Sequence, residues 1–182
     1  IHALRAALGD ATTADLNTTL LDGRKLAMPE LIHATDAAPF LGDKRLVIVD
    51  GLLSRLEGRE PLLNKPLTQT KANASLSADL QAYLPRLSPT TRLVFTEPRA
   101  LHPEHPLLAF ADRIGKGTTV RLFGRLGEGD LRKWIAARAK LKGGTVSDGG
   151  IEALAASGEG DLRLLDQEIE KLTTYVGGDT RP

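Results

Sequence analysis

The sequence predicts an α/β protein in two parts, a three-layer domain with a parallel sheet followed by a small all-α helical bundle. Short β-branched runs alternate with segments of helical periodicity as far as residue 124, which is typical of βαβ crossovers and a sheet covered on both faces. Beyond Gly124 the periodicity is helical only. Since 182 residues suit one large domain or two small ones, we expect domains at 1–124 and 125–182.

The first half of the predicted sheet domain is built around residues 45–49, Arg-Leu-Val-Ile-Val, a run typical of a strand buried on both faces. Pro29 suits the first turn of a helix, and Gly9 closes an earlier one. The elements predicted up to residue 57 are a helix at 2–8, a strand at 16–21, a helix at 28–37, a strand at 45–49 and a short helix at 51–57.

Residues 58–75 separate the two halves of this domain, and Gly58, Pro61 and Pro66 interrupt any regular pattern there. We expect this segment to be a mobile loop. The elements predicted after it are a helix at 76–87, a strand at 91–96, a helix at 105–114 and a strand at 118–123.

Three amphipathic helices form the predicted bundle. In the first, Leu131, Trp134 and Ile135 follow helical spacing, which places Trp134 in the packed core rather than at a binding surface. Ser147 caps the second helix. The third has an apolar seam that steps by three and four residues through Leu162, Leu165, Ile169, Leu172 and Val176. Because such helices are not stable alone, they should pack together.

The composition excludes several classes of protein. Without cysteine there is no disulfide, thiolate zinc site or thiol catalysis, and the absence fits a reducing cytosol. The net charge of +1 gives no overall attraction to nucleic acid or membranes. No apolar run has the length of a membrane span. We therefore expect a cytoplasmic protein with no membrane partner.

No catalytic or cofactor site is predicted. Residues 115–118, Gly-Lys-Gly-Thr, superficially resemble a phosphate loop, but the motif needs a glycine where Phe110 stands. Its helix must also follow the loop, whereas here a helix precedes it and a strand is predicted after it. We interpret the segment as a glycine turn, and we expect no nucleotide or other cofactor.

Two other groups of polar residues have a catalytic and a plain interpretation. His102 and His105 could begin a metal site, but Glu104 is the only further ligand nearby, so we expect solvated loop histidines and no metal. Asp166, Glu168 and Glu170 should form a solvated helix face rather than paired catalytic acids.

The helix at 132–142 is basic. Arg132, Lys133 and Lys140 are candidates for contact with DNA phosphates, although most basic helix faces are merely solvated. The sequence alone leaves a DNA-binding module open as one alternative for the whole chain.

Two stretches resemble the δ-subunit family of bacterial DNA polymerase III, whose members are clamp-loader proteins. The first is residues 38–49, Ala-Pro-Phe-Leu-Gly-Asp-Lys-Arg followed by the apolar strand, with Asn17 and residues 21–23 in the family's order upstream. The second runs from Leu131, Trp134 and Ile135 to the phrase Glu-Ile-Glu-Lys-Leu at 168–172. The resemblance covers roughly residues 16–176.

The resemblance implies an AAA+-like first domain that binds the sliding clamp, the β subunit, and opens its ring during DNA replication. It implies no catalysis by this chain, since sister subunits use the ATP and the polymerase activity belongs to the complex. Pro39, Phe40 and Leu41 match the clamp-contacting tip. The family's first strand would precede Ile1, and the collar domain that joins other clamp-loader subunits would follow Pro182. Primed DNA is a further partner within the complex.

Alternatives stay open at two points. From the residues alone, Phe40 lies between a proline and a leucine-glycine pair and could be an inward staple under the sheet or a protruding anchor; the resemblance favours the anchor. A P-loop ATPase whose phosphate loop precedes Ile1 is a rival for the whole chain. Against it, Asp50 has no second acid after it at the end of its strand.

Overall fold

The computed structural model describes residues 1–57, 69–115, 117–158 and 161–176. The chain divides into two compact units, Ile1–Arg121 and Leu122–Pro182. The first unit combines strands with helices, and the described residues of the second form helices and connecting segments. The predicted α/β fold class with a helical C-terminal part is confirmed.

The sheet of the first unit has three parallel strands in the order β1-β2-β3. They are β1 (Thr18–Asp22), β2 (Arg45–Asp50) and β3 (Thr91–Thr96). Thr18 pairs with Leu46 and Leu46 pairs with Arg92, so β2 is the central strand. The strands predicted at 45–49 and 91–96 are confirmed, and the one predicted at 16–21 begins two residues later. Parallel pairing explains why β2 is a continuous apolar run.

Helices of the first unit pack on the sheet face that carries Val47 and Val49. Helices α3 (Met28–Asp36), α4 (Leu52–Glu57), α5 (Lys71–Tyr83) and α6 (Pro106–Ile114) form this core with the sheet. Two short helices, α1 (His2–Ala6) and α2 (Ala11–Leu16), precede β1 and contribute no residue to it. Leu31, Leu56 and Leu80 are fully buried there. Burying each such side chain contributes roughly 1.5–3 kcal/mol.

One helix was not predicted, and another begins earlier than predicted. Helix α2 was not predicted; Asp10 caps it by accepting hydrogen bonds from the N–H groups of Thr12 and Thr13. Helix α5 begins at Lys71, five residues early, because Thr70 caps its first turn. The mobile loop predicted at 58–75 is therefore wrong for residues 71–75, while residues 58–68 lie outside the described ranges.

The strand predicted at 118–123 is wrong. The structure gives these residues no regular element, and Val120, Leu122 and Phe123 are exposed. A strand exists through hydrogen bonds to a neighbour, and here the segment pairs with neither β1 nor β3. Alternating β-branched residues indicate that a segment fits a sheet, but they do not supply the partner.

The second unit contains α7 (Glu128–Leu141), α8 (Asp148–Ser157) and α9 (Leu162–Tyr175). Its core is formed by Leu131, Ile135, Ala139, Leu154, Leu165 and Ile169, against which Trp134 packs half-buried. Gly158 is required because a Cβ there would lie 2.5 Å from the Leu165 side chain. The predicted seam of α9 is confirmed as far as Ile169, whereas Leu172 and Val176 are largely exposed.

No helix in the described ranges is both long and apolar enough to span a lipid bilayer.

Candidate functional site

The tip loop, residues 37–44, joins α3 to β2 and holds the three residues predicted to bind a partner. Helix α3 ends at Asp36, and Ala37 is already extended, as expected ahead of the proline at position 39. Phe40 is 54% exposed and Leu41 is 85% exposed, while Pro39 is half-buried. The loop therefore presents two large apolar side chains to solvent, and Phe40 lies outside both core clusters.

The backbone of Phe40 is fixed by the side chain of Asn17, which is fully buried. The Asn17 Oδ1 accepts from the Phe40 N–H at 2.6 Å, and its Nδ2 donates to the Phe40 carbonyl at 2.8 Å. The same Nδ2 donates to the carbonyl of Thr13 at 2.9 Å. One side-chain amide thus binds both backbone groups of the residue that carries the aromatic ring.

Leu41 follows in the left-handed region, with φ of 49°. For a residue with a Cβ this conformation costs roughly 1–2 kcal/mol, and such backbone is found where surrounding contacts impose it. The bonds that Asn17 makes to the preceding residue are contacts of this kind. The chain therefore turns sharply where both apolar side chains point outward.

Polar groups surround the apolar pair. Asp43 and Lys44 are exposed, and the Arg45 guanidinium donates from Nη2 to the Thr19 hydroxyl oxygen at 2.8 Å. An apolar centre with a polar rim is the usual anatomy of a protein-binding patch. The side chains of this loop suit recognition of a protein surface.

The candidate DNA-contacting residues lie in the other unit, on α7. Arg132, Lys133 and Lys140 are all exposed. Arg132 is 3.6 Å from Glu152 and Lys133 is 3.8 Å from Asp130, so acidic neighbours partly offset their charge. Among the residues described, Lys140 takes part in no ion pair.

The rest of the basic helix faces α9. Arg138 pairs with Asp166, and Lys142 lies 3.2 Å from Asp166 and 2.9 Å from Glu170. The Arg138 guanidinium lowers the pKa of Asp166 to about 2. The expected solvated face is confirmed for Glu170, which is 66% exposed, while Glu168 is partly exposed and pairs with Lys171 within α9. Asp166 and Glu170 also pair across to α7, and they reduce the positive charge that α7 offers to a phosphate.

The glycine turn predicted at 115–118 is confirmed in the described residues. Gly115, with φ of 63°, ends α6, and the Thr118 hydroxyl donates back to the Ala111 carbonyl at 2.9 Å. The next helix is α7, which begins at Glu128. A phosphate loop requires a helix N-terminus directly after it, and this turn lacks one.

The prediction that His102 and His105 are solvated is wrong, because their side chains are 5% and 0% exposed. His105 caps α6: its Nδ1 accepts from the Leu107 N–H at 3.2 Å, and its Nε2 lies 3.2 Å from the Leu53 carbonyl. Burial lowers the pKa of His105, although the nearby Glu57 carboxylate opposes that shift. A histidine directly before the proline that opens a helix was the available signal.

Glu57 is a buried carboxylate that the sequence did not reveal. It accepts from the His102 N–H and lies 2.7 Å from the Arg99 guanidinium. Across the described ranges, no group of three or more His, Cys, Asp or Glu side chains could hold a metal ion. The Arg99 ion pair and the α6 cap account for Glu57 and His105 as core residues, whereas the buried His102 Nε2 has no hydrogen-bond partner among the described residues.

Three comparisons with known proteins agree. The family model of the DNA polymerase III, delta subunit matches residues 1–113. The DNA polymerase III subunit delta of Bacillus subtilis (strain 168) is 25% identical over 178 residues, covering 97% of this chain and 48% of that protein. The solved structure of the Bacillus subtilis DNA clamp loader delta protein matches with a TM-score of 0.67 at 23% identity.

That structural match covers 98% of this chain and 49% of the solved one, so the chain spans about half the length of both relatives. At this identity the likeness in structure shows the fold. The family model covers more than half of the chain, from α1 through most of α6, and includes the tip loop. The chain belongs to the DNA polymerase III delta subunit family.

Proposed function

We propose that this chain binds one protomer of the replicative sliding clamp through the tip loop and helps to open the clamp ring during DNA replication. The single observation that carries the proposal is the pair Phe40 and Leu41, two exposed apolar side chains on a backbone held by a buried amide. Membership of the delta family supports a clamp as the partner.

The energetics of the tip loop fit this role. Burying an aromatic side chain of this kind in a pocket contributes about 1.5–3 kcal/mol, and a few such anchors dominate most interfaces. A fixed loop loses little conformational freedom on binding. The work of ring opening would come from binding the strained ring better than the closed one, so that binding energy shifts the equilibrium between them.

The assignment of parts follows from this role. We assign clamp binding to an AAA+-like three-layer domain at 1–124, and we assign residues 125–182 to a small helical domain. Contact with the other clamp-loader subunits is assigned to the collar domain of the family. Such a protein would act in the cytoplasm as a non-catalytic part of a DNA-directed DNA polymerase complex.

A second candidate function is contact with the phosphates of primed DNA by Arg132, Lys133 and Lys140 on α7. The observation that favours it is the exposed Lys140, which has no acidic partner among the described residues. Each phosphate contact would make binding weaker as salt rises. Replacing Lys140 by Gln should lower the salt dependence of DNA binding if this contact exists.

Gel filtration with the purified clamp tests the main proposal. The chain should co-elute with the clamp, and Phe40→Ala should abolish or strongly reduce that co-elution. A complex with the loader subunits but none with the clamp would contradict the assignment.

Nucleotide binding by the full-length protein separates this proposal from the rival ATPase, whose phosphate loop would precede Ile1. Because the turn at 115–118 ends a helix rather than starting one, we expect no measurable binding of ATP with magnesium. Isothermal calorimetry and the melting temperature with and without ATP are the measurements. A saturable heat signal or an ATP-dependent rise in melting temperature would support the ATPase instead.

A further inference from the structure

We propose that Asn17 is a positioning residue for the tip loop, whose buried amide fixes the backbone of Phe40 so that the aromatic side chain is presented outward. The inference rests on the proposed clamp-binding function. It assigns a role to a residue 23 positions away in sequence, on the other side of α3.

Asn17 is itself held on every side. Its N–H donates to the Thr13 carbonyl at 3.1 Å, and its carbonyl accepts from the Leu46 N–H at 2.8 Å. Asn17 therefore joins the last turn of α2 to Leu46, near the start of β2. A side chain mounted on two fixed elements has little freedom to move, so its amide can hold a loop in one place.

The hydrogen bonds that the Asn17 carboxamide makes are partly buried, because their Asn17 end is fully enclosed while Phe40 is exposed. The side chain of Asn17 is fully buried, and hydrogen bonds shielded from water are stronger than exposed ones. Releasing the loop would leave the carboxamide oxygen without its partner and the nitrogen with only its bond to the Thr13 carbonyl, which is unfavourable. The tip loop is thus attached to Asn17 at Phe40, and Arg45, the first residue after the loop, donates to Thr19 of β1.

The loop also passes close over the amide. A Cβ added at Gly42 would lie 3.4 Å from the Asn17 Nδ2 and 3.7 Å from the Thr13 Cγ2. The sharp turn at Leu41 lies between the two close approaches, at Phe40 and Gly42. A Cβ at these distances makes ordinary van der Waals contact, so only the atoms beyond Cβ of a larger side chain at Gly42 would push the loop away from the amide, and no buried group is removed.

Asn17 acts through the backbone of Phe40, so its contribution to binding should depend on the Phe40 side chain. A loop that samples several conformations binds only through the fraction that presents the ring correctly, and affinity falls by that fraction. A residue that merely supports the fold would lower stability without this dependence. The distinction can be measured.

The experiment is a double-mutant cycle in the full-length protein, measuring affinity for the purified clamp. Asn17→Ala should weaken binding by about tenfold in the otherwise unchanged protein and by less than about threefold when Phe40→Ala is also present. Equal effects in both backgrounds would overturn the proposal. If Phe40→Ala alone leaves the affinity unchanged, the proposed function fails instead.

Hydrogen exchange supplies a readout that needs no clamp. In Asn17→Ala, the Phe40 amide should exchange faster by at least about tenfold, while the amides of β2 keep their protection. Loss of protection throughout β2 would show that Asn17 supports the fold in general and would overturn the positioning role.

A second variant covers the case in which Asn17→Ala does not fold. Gly42→Val keeps the buried amide and should weaken clamp binding by about tenfold by displacing the loop. Gly124→Val is the matched control, because a Cβ there has nothing within 4 Å, and it should leave affinity unchanged. Unchanged affinity in Gly42→Val would also overturn the proposal.

Discussion

Phe40 and Phe123 are both exposed, and each lies next to an exposed leucine, but their backbones are held differently. Phe123 is 86% exposed, more than Phe40. No residue from 119 to 126 makes a hydrogen bond to another described residue, whereas both backbone groups of Phe40 are bound by Asn17. We therefore expect recognition where a fixed backbone lies beneath the exposed side chain, and not from exposure alone.

The largest expected difference between the two regions is in clamp binding. Phe40→Ala should weaken clamp affinity by about 2–4 kcal/mol, the range of interface hot spots, with little change in melting temperature. Phe123→Ala is the matched control and should leave the affinity unchanged. Surface plasmon resonance on both variants, with thermal melting, makes the measurement.

Two results of that comparison would contradict the interpretation. Equal losses of affinity in both variants would mean that exposure, and not backbone fixation, determines binding. Phe40→Ala could instead lower folding stability by about 3–5 kcal/mol, the range for an aromatic core residue, and leave the affinity unchanged. That result would mean that Phe40 acts as a core residue and not as an anchor.

Protease sensitivity should separate the two regions next. Trypsin should cut after Arg121 and Arg125 at least about tenfold faster than after Lys44 and Arg45, because an unbonded segment opens more readily than a fixed loop. Mass spectrometry of a digestion time course identifies the order of cuts. Asn17→Ala should advance the cut in the tip loop alone. Earlier cleavage of the tip loop in the unaltered protein would contradict its rigidity.

Local patterns were sufficient for the elements that depend on neighbours in sequence. The β-branched run of β2 predicted a doubly buried strand, and the apolar spacing of α7 and α9 predicted their packing. The segment at 118–123 has an equally good strand pattern, yet a strand also requires a partner edge, which no local pattern encodes. That is why one prediction held and the other did not.

The site was predictable only in part for the same reason. The resemblance pointed to Pro39, Phe40 and Leu41 and placed Asn17 in the family's order, but nothing in either segment indicates that the Asn17 amide binds the backbone of Phe40. The backbone N–H of His102 likewise donates to Glu57, 45 residues earlier. Contacts between distant segments decide which polar residues are buried.

A smaller effect is expected from the backbone of Leu41. Leu41→Gly removes the unfavourable left-handed conformation but adds freedom to the unfolded chain, so folding stability should stay equal or rise by at most about 1 kcal/mol. Clamp affinity should fall because an anchor is lost. Leu122→Gly, where φ is not positive, should give no gain in stability. Urea denaturation of both variants tests this, and destabilisation by Leu41→Gly alone would contradict it.

The smallest expected effect is a pH dependence that leaves the anchor of the tip loop untouched. Asn17 does not titrate, whereas His105 is buried and burial lowers its pKa. The contribution of neutral His105 to folding stability is therefore fully present above pH 6.5, the ordinary pKa of histidine, and is lost as the pH falls below that value. Glu57 and Glu97, which favour the charged imidazole, oppose part of that loss, and a single titrating group changes the free energy of unfolding by at most about 1.4 kcal/mol per pH unit. Melting curves should show a decline on acidification that is smaller in His105→Gln. His33→Gln, which replaces an exposed histidine, should keep the full decline. A decline of equal size in all three proteins would mean that other groups control the acid sensitivity of the sheet core.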